Sequence, residues 1–379
     1  MKNKVIIVDN SMQNTGAFKS ILGYASVLSP KIKFYFALNK KSTIKGNFYK
    51  SDIKVIPCSF VEIQKNINLI FYLPYLLYNT AKLIRYIKKN EIQIIHVNDI
   101  YNMVGVLVKI FRPKTYLIYH VRLLNNSYVS PLYNIWSFLI HKYSDKIICV
   151  SNIVAKSFPY ESSKIIVLYD SIAPPKLNSD QNQRYEENDI KLYYIGNFIK
   201  GKGQDLAIMA YIEARKINSK LSLYFVGGTL GKKKNLAFKN ALIKKVNEAN
   251  LGNSVTFLDQ SNNIEEYYKK ADIVLNFSEN ESFSMVCLEA LTYGKPLIAT
   301  NSGGPAEIID NELDGLLIPN KDINQMKEAI LKLSSNQALR NKFIKNGPIK
   351  VKERFNIEES AKRLEDLYLI AILSFRRKQ

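Results

Sequence analysis

At 379 residues the chain exceeds the usual size of one domain, so two domains are the expectation. Hydrophobic residues make up 47% and Gly and Pro are few, a composition that excludes a disordered or fibrous chain and leaves ample core. The net charge is +21, and residues 1–180 hold 24 Lys and Arg against 9 Asp and Glu. So one-sided an excess suits an acidic partner (anionic lipid, nucleic acid or a phosphorylated substrate), or else a lysine-rich composition spread over solvated faces.

The opening "MKNKVIIVDN" passes straight into a short apolar run and a turn, which reads as a first strand rather than a signal peptide. No run of about 18 apolar residues occurs, so no spanning helix is expected and the chain reads as soluble. Cys58, Cys149 and Cys287 lie far apart with no CxxC spacing, as reduced thiols of a cytosolic protein do. Short β-branched runs then alternate with amphipathic stretches, the pattern of parallel sheets between helices. In the first half the runs are 4–8, 32–37, 53–56, 92–96, 115–119, 146–150 and 164–168. A second series comprises 190–196, 221–227, 254–259, 272–278, 296–300 and 315–319. The fold expected is α/β, with two doubly wound domains: 1–172 and 190–357, joined by a polar linker at 173–189. A last helix, about 358–379, returns to the first domain.

Ligands of such sheets bind beyond the carboxyl ends of the strands, so the loops there carry the argument. After the run at 190–196 comes "GNFIKGKGQDL", where Gly196 and Gly203 permit sharp turns and Lys202 precedes a helix start. That arrangement suits a phosphate, although a glycine turn with a solvated lysine looks the same. The next loop reads "ENESFSMVCLEA": Glu281 lies ahead of a helix that Ser284 would cap, and Glu289 lies within it. Backbone N–H groups of Phe283, Ser284 and Met285 would face a ligand there, while the two carboxylates accept bonds from hydroxyls. Taken singly, each glutamate is better explained by a salt bridge or by solvent; their joint placement is what favours a ligand. A third loop, "ATNSGGPAEII", approaches the same edge. In the first half, "IIHVND" and "YLIYHVR" each end a strand with a histidine. His96 reads as a histidine satisfied by its surroundings; His120, followed by Arg122, is the functional candidate. The loop "QNTGAFKS" offers Gly16 for close approach and Lys19 for an anion.

In the second half, "YIGNFIKGKG", "FSENESFSMVCLEALTYGKPLIATNSGGPAEII" and "DGLLIP", in that order, resemble glycosyltransferase family 4. These are retaining enzymes of the GT-B fold, in which two Rossmann-like domains face each other across a cleft. The resemblance is clear over about 190–355 and rests on "IIHVND" and "YHVR" before that. It implies that Lys202 grips the donor pyrophosphate. Glu281, with the N–H groups of Phe283 and Ser284, would hold the transferred sugar, and Glu289 the ribose hydroxyls. His120 would lie over the donor sugar, and "FLD" would run past the base, bringing in Asp259. His120, Lys202 and Glu281 are thus the catalytic candidates. Gly16, Asn197, Ser282 and Met285 join the donor-binding set. Asn197 stands where the family often has arginine, and "NTGAF" has one glycine where the family usually has two.

The implied reaction is metal-independent transfer from a nucleotide-diphosphate sugar, UDP-linked for preference, with no cofactor. The acceptor would be a glycan or lipid-linked molecule of bacterial surface polysaccharide synthesis, such as lipopolysaccharide or capsule. The segment 72–90 reads as a helix with Leu73, Leu77, Ala81 and Ile84 toward the core. Tyr75, Tyr78, Lys82, Arg85 and Lys89 form a second stripe suited to an anionic membrane surface. Location would then be cytoplasmic, or peripheral at the inner face of the plasma membrane. A nucleotide-sugar epimerase of the same architecture is the alternative enzyme. A basic nucleic-acid-binding protein is the alternative class, although no recognition motif for nucleic acid is present and none is expected as a partner.

Overall fold

Each of the thirteen β-branched runs forms a strand, because each is short, mostly apolar and bounded by turn residues. The computed structural model describes residues 2–13, 15–44, 53–61, 70–173, 189–259 and 263–376. The expected linker at 173–189 lies outside these except at its ends. The chain divides into two compact units, Met1–Ser171 with Asn356–Gln379, and Ile172–Phe355.

The first unit holds strands β1 (Asn3–Val8), β2 (Ile32–Asn39), β3 (Lys54–Cys58), β4 (Ile94–Val97), β5 (Tyr116–Val121), β6 (Lys146–Cys149) and β7 (Ile165–Val167). Its helices are α1 (Gly16–Leu28), α2 (Tyr72–Asn90), α3 (Val104–Phe111), α4 (Ser130–Tyr143) and α5 (Asn152–Ser157). The sheet is parallel, in the order β3-β2-β1-β4-β5-β6-β7.

Strands β8 (Ile190–Ile195), β9 (Leu221–Val226), β10 (Val255–Leu258), β11 (Ile273–Asn276), β12 (Leu297–Thr300) and β13 (Leu316–Ile318) build the second unit's parallel sheet. Their order is β10-β9-β8-β11-β12-β13. Around them lie α6 (Gln204–Ile217), α7 (Lys233–Glu248), α8 (Ile264–Lys270), α9 (Met285–Thr292), α10 (Pro305–Ile308), α11 (Ile323–Ser335) and α12 (Gln337–Arg354). The last helix, α13 (Ile357–Arg376), packs on α1 and closes the first unit's core with Tyr368, Ala371 and Ile372.

The reading of α2 needs correction. Leu73 and Leu77 are 60% and 50% exposed and Ala81 is exposed too, while Leu83 and Ile87 face the core with Asn79 and Thr80. Asn79 is buried because its amide exchanges two 3.0 Å hydrogen bonds with the backbone of Ser59. Spacing of apolar residues cannot show that a polar side chain will be satisfied inside. Tyr75, Tyr78, Arg85 and Lys89 are exposed as expected, and the Lys82 ammonium donates to the Pro57 carbonyl at 2.5 Å. Among the described residues no helix is long and apolar enough to cross a membrane.

Candidate functional site

In the second sheet the chain builds outward from β8 and then returns to lay β11 on its other side. That reversal makes the carboxyl ends of β8 and β11 the topological switch point, the place where ligands of open parallel sheets bind. The loops leaving these strands, 196–203 and 277–284, press together there. Gly203 has φ +78°, and a Cβ on it would lie 2.0 Å from the Phe277 carbonyl oxygen. No other residue fits. Buried Tyr194 ties the loops further, its hydroxyl donating to the Lys202 carbonyl and accepting from the Phe277 N–H at 2.8 Å. With both backbones fixed, Lys202 Nζ stands 2.6 Å from Glu281 Oε1. The lysine side chain is 39% exposed and the glutamate 13%, so the pair sits at the unit's surface.

The third loop joins the same edge. Glu281 N–H donates to Ser302 O at 3.0 Å, and Gly304 N–H donates to Glu281 O at 2.8 Å. A Cβ on Gly304 would lie 2.3 Å from the Phe283 Cα, which the close approach forbids. Glu279 takes a different partner, Lys321, at 2.7 Å.

Helix α9 begins where the sequence places it. Ser284 is the N-cap and its hydroxyl accepts from Cys287 N–H. At φ +89° this serine occupies left-handed space, a strain on the order of 1–3 kcal/mol. The Asn276 amide, 2.7 Å from its hydroxyl, holds it there. The amides of Met285 and Val286 have no intrahelical acceptor, and the helix dipole adds partial positive charge beside them. Phe283 turns its ring inward against Phe355, centroids 5.8 Å apart, and so only its backbone faces outward chemistry. Glu289 is half-buried and accepts from the Tyr268 hydroxyl at 2.8 Å. Burial pushes the Cys287 thiol up to about 12, which makes it a poor nucleophile.

The other expected residues scatter. The Asn197 amide oxygen accepts from Gly228 N–H at 3.2 Å and its carbonyl accepts from Gln204, so it braces neighbouring loops. Ser282 and Met285 are half-buried within the loop and the first turn of α9. Asp259 ends the edge strand β10, 94% exposed and 3.0 Å from Lys239. Its described contacts do not include Lys202 or Glu281. Gly16 opens α1 of the first unit, after the N-cap Thr15, and Lys19 is exposed on that helix.

His120 departs furthest from expectation. It is 0% exposed, stacked on His96 at 5.5 Å, and neither ring nitrogen has a partner or reaches solvent. Burial and the nearby Arg122 charge hold it well below the usual histidine range, so it is neutral. His96 is half satisfied: the Tyr368 hydroxyl lies 2.7 Å from Nδ1, while Nε2 is buried with no hydrogen-bond partner. Both rings lie on the sheet face that α13 covers. Arg122 is buried as well, paired with Asp170 and bonded through Nε to Asn98 at 2.7 Å. Sequence reasoning missed Tyr194, Tyr268 and Asn276. Their signal was a tyrosine or asparagine inside an otherwise apolar run, which has to find a buried hydrogen-bond partner.

Two family models match the chain: Glycosyltransferase Family 4 over residues 50–170, and Glycosyl transferases group 1 over residues 176–350. An uncharacterised glycosyltransferase of Methanocaldococcus jannaschii is 28% identical over 229 residues, 59% of this chain and 59% of that protein's length. The lipopolysaccharide core biosynthesis mannosyltransferase LpsB of Rhizobium meliloti is 26% identical over 169 residues, 44% of this chain and 48% of its own. Among solved structures, Anabaena HepE in complex with UDP-glucose superposes with a TM-score of 0.81 at 18% identity, covering 96% of this chain and 98% of that one.

Proposed function

The chain belongs to glycosyltransferase family 4 and has the GT-B fold, and from that premise we propose that it moves a sugar from a UDP-sugar to a glycan or lipid-linked acceptor. The observation that carries the reading is the Lys202–Glu281 pair at the switch point of the second sheet. In the reaction the bond from the anomeric carbon to the diphosphate oxygen breaks and a bond to the acceptor oxygen forms. The acceptor's proton passes to the departing phosphate, on the same face of the sugar, so configuration is retained.

Negative charge grows on the diphosphate as its bond breaks, and fixed positive charge lowers that barrier most. Lys202 Nζ and the open amides at the start of α9 supply it, and the scheme uses no metal or cofactor. Glu281 and the backbone of Phe283 and Ser284 accept and donate bonds to sugar hydroxyls. Glu289, steadied by Tyr268, takes the ribose hydroxyls, and the strand end at Asp259 runs past the base. Ser282 and Met285 complete the donor loop, Asn197 supports it, and Gly16 keeps its place as a close-approach position. Nothing is asked of His120, whose ring is closed off. UDP is favoured because HepE, of the same fold, binds UDP-glucose. Surface polysaccharide synthesis is favoured because LpsB is a lipopolysaccharide core enzyme.

The exposed face of α2 adds a peripheral membrane location, with Leu73, Leu77 and Tyr78 beside Arg85, Lys88 and Lys89. The donor reading is tested by thermal unfolding with UDP-, GDP- and ADP-sugars. UDP-glucose is expected to raise the unfolding temperature, since a ligand bound to the folded state stabilises it. No shift with any member of the panel would end the reading.

A further inference from the structure

Phe283 and Ser284 are neighbours in the loop before α9, yet they are held by different means. Phe283 is wedged by packing, its backbone against Gly304 and its ring against Phe355. Ser284, 6% exposed, is held through its hydroxyl. That oxygen accepts from the Asn276 amide at 2.7 Å and from Cys287 N–H at 3.4 Å, and it donates to the Cys287 sulfur at 3.2 Å. Both lone pairs and the one proton are then used, so only the backbone of this serine is left for a ligand. Asn276 is the last residue of β11 and 4% exposed. Its Oδ1 accepts from Ser278 N–H at 3.2 Å. One buried side chain thus joins the strand end, the loop that leaves it and the first turn of α9.

The backbone angles show what this strap does. Ser284 has φ +89° and ψ +87°, outside the ordinary space of an L-residue. A serine that caps a helix normally sits in extended space, so the bond to Cys287 N–H does not call for a positive φ. Strained backbone persists only where its surroundings hold it, and the amide of Asn276 is the tether from outside the helix. Released from it, Ser284 would relax to negative φ and the peptide planes on either side would turn. Those planes carry the N–H groups of Ser284 and Met285.

We infer that Asn276 is a positioning residue of the donor site, holding Ser284 in left-handed space so that the N–H groups of Ser284 and Met285 point at the donor. The word donor rests on the glycosyltransferase reading above, whereas the strap stands on this geometry alone. Glycine reaches such angles without strain, so Asn276 matters for aiming these groups only while residue 284 bears a side chain.

A double-mutant cycle on the full chain tests this, with calorimetry of UDP-glucose and urea unfolding as its two readouts. Asn276→Ala is expected to weaken UDP-glucose binding about tenfold, the scale of one misdirected charge-assisted hydrogen bond. Made in the Ser284→Gly background, the same substitution should weaken it further by less than about twofold. Asn276→Thr, which suits a strand, replaces the alanine variant if that one does not fold. An asparagine that merely stabilised the sheet would cost the same factor in both backgrounds, and that result overturns the inference, as does unweakened binding by Asn276→Ala. Wild type that binds no UDP-glucose would count against the donor reading, and urea then decides the strap. The fall in urea midpoint caused by Asn276→Ala should be roughly halved or less in the Ser284→Gly background. Equal falls overturn the strap whatever the fate of the donor reading.

Discussion

Lys202 and Glu281 satisfy each other in the free protein, so a nucleotide sugar must compete with a 2.6 Å ion pair before the lysine can serve a phosphate. Removing the cation should therefore be costly. Lys202→Ala is expected to lower kcat/KM by about 100-fold or more in a donor-transfer assay, the scale of one lost charge-stabilising donor. Near-normal turnover would end its assignment. Glu281→Ala should separate two roles, since it frees Lys202 while removing the proposed sugar contact. UDP should bind that variant at least as tightly by calorimetry, whereas sugar transfer falls; retained transfer would dismiss Glu281. The histidines predict a pH effect in the first unit. Burial pushes His96 down to about 3, and His120 shifts the same way, so both stay neutral when folded. Unfolded histidine takes its proton near 6.5, so their contribution is complete above that pH and declines as pH falls from 6.5 toward 3. At pH 5 His96 alone accounts for roughly 2 kcal/mol. The loss of unfolding temperature between pH 7 and pH 5 should shrink in His96→Gln, and an unchanged difference would contradict this account.

Among the elements, the loops after β8 and β11 depend on a backbone contact that only glycine permits. Gly203→Ala would drive a Cβ into the Phe277 carbonyl at a left-handed φ, and is expected to destabilise the second unit by about 2 kcal/mol or more. A urea midpoint equal to wild type would show that the loops yield. The strands were legible because a short β-branched run bounded by turn residues is a local signal. The start of α9 was legible for the same reason, a serine ahead of an apolar run. The core face of α2 was not. Its apolar residues cover more than one side, and the buried side is chosen by Asn79 reaching the Ser59 backbone, a contact the helix cannot announce. At the site, the sequence brought out Lys202, Glu281 and Glu289, but not Tyr194, which holds the two loops in place.

For the whole molecule, the basic excess of residues 1–180 and the exposed apolar face of α2 point to one measurement. The protein is expected to sediment with vesicles rich in anionic lipid and to be released as salt rises, because the attraction is screened within about 10 Å at 0.1 M salt. Replacing Leu73, Leu77 and Tyr78 by Asn should weaken sedimentation while leaving UDP-glucose stabilisation in place. Absence of binding at low salt would retire the membrane location.

By itself the sequence determined two parallel sheets, the strands that build them, the loops at their carboxyl ends and the glutamates around α9. Those features follow from periodicity and turn chemistry within a few residues. Only the tertiary structure decided that Lys202 meets Glu281, 79 residues away, and that His96 and His120 lie beneath α13. Tyr368, 272 residues on from His96, bonds one ring nitrogen of that histidine and packs edge-on against its ring. Such pairings belong to packing between distant segments, where burial and hydrogen-bond satisfaction select the partner and local pattern carries no record of it.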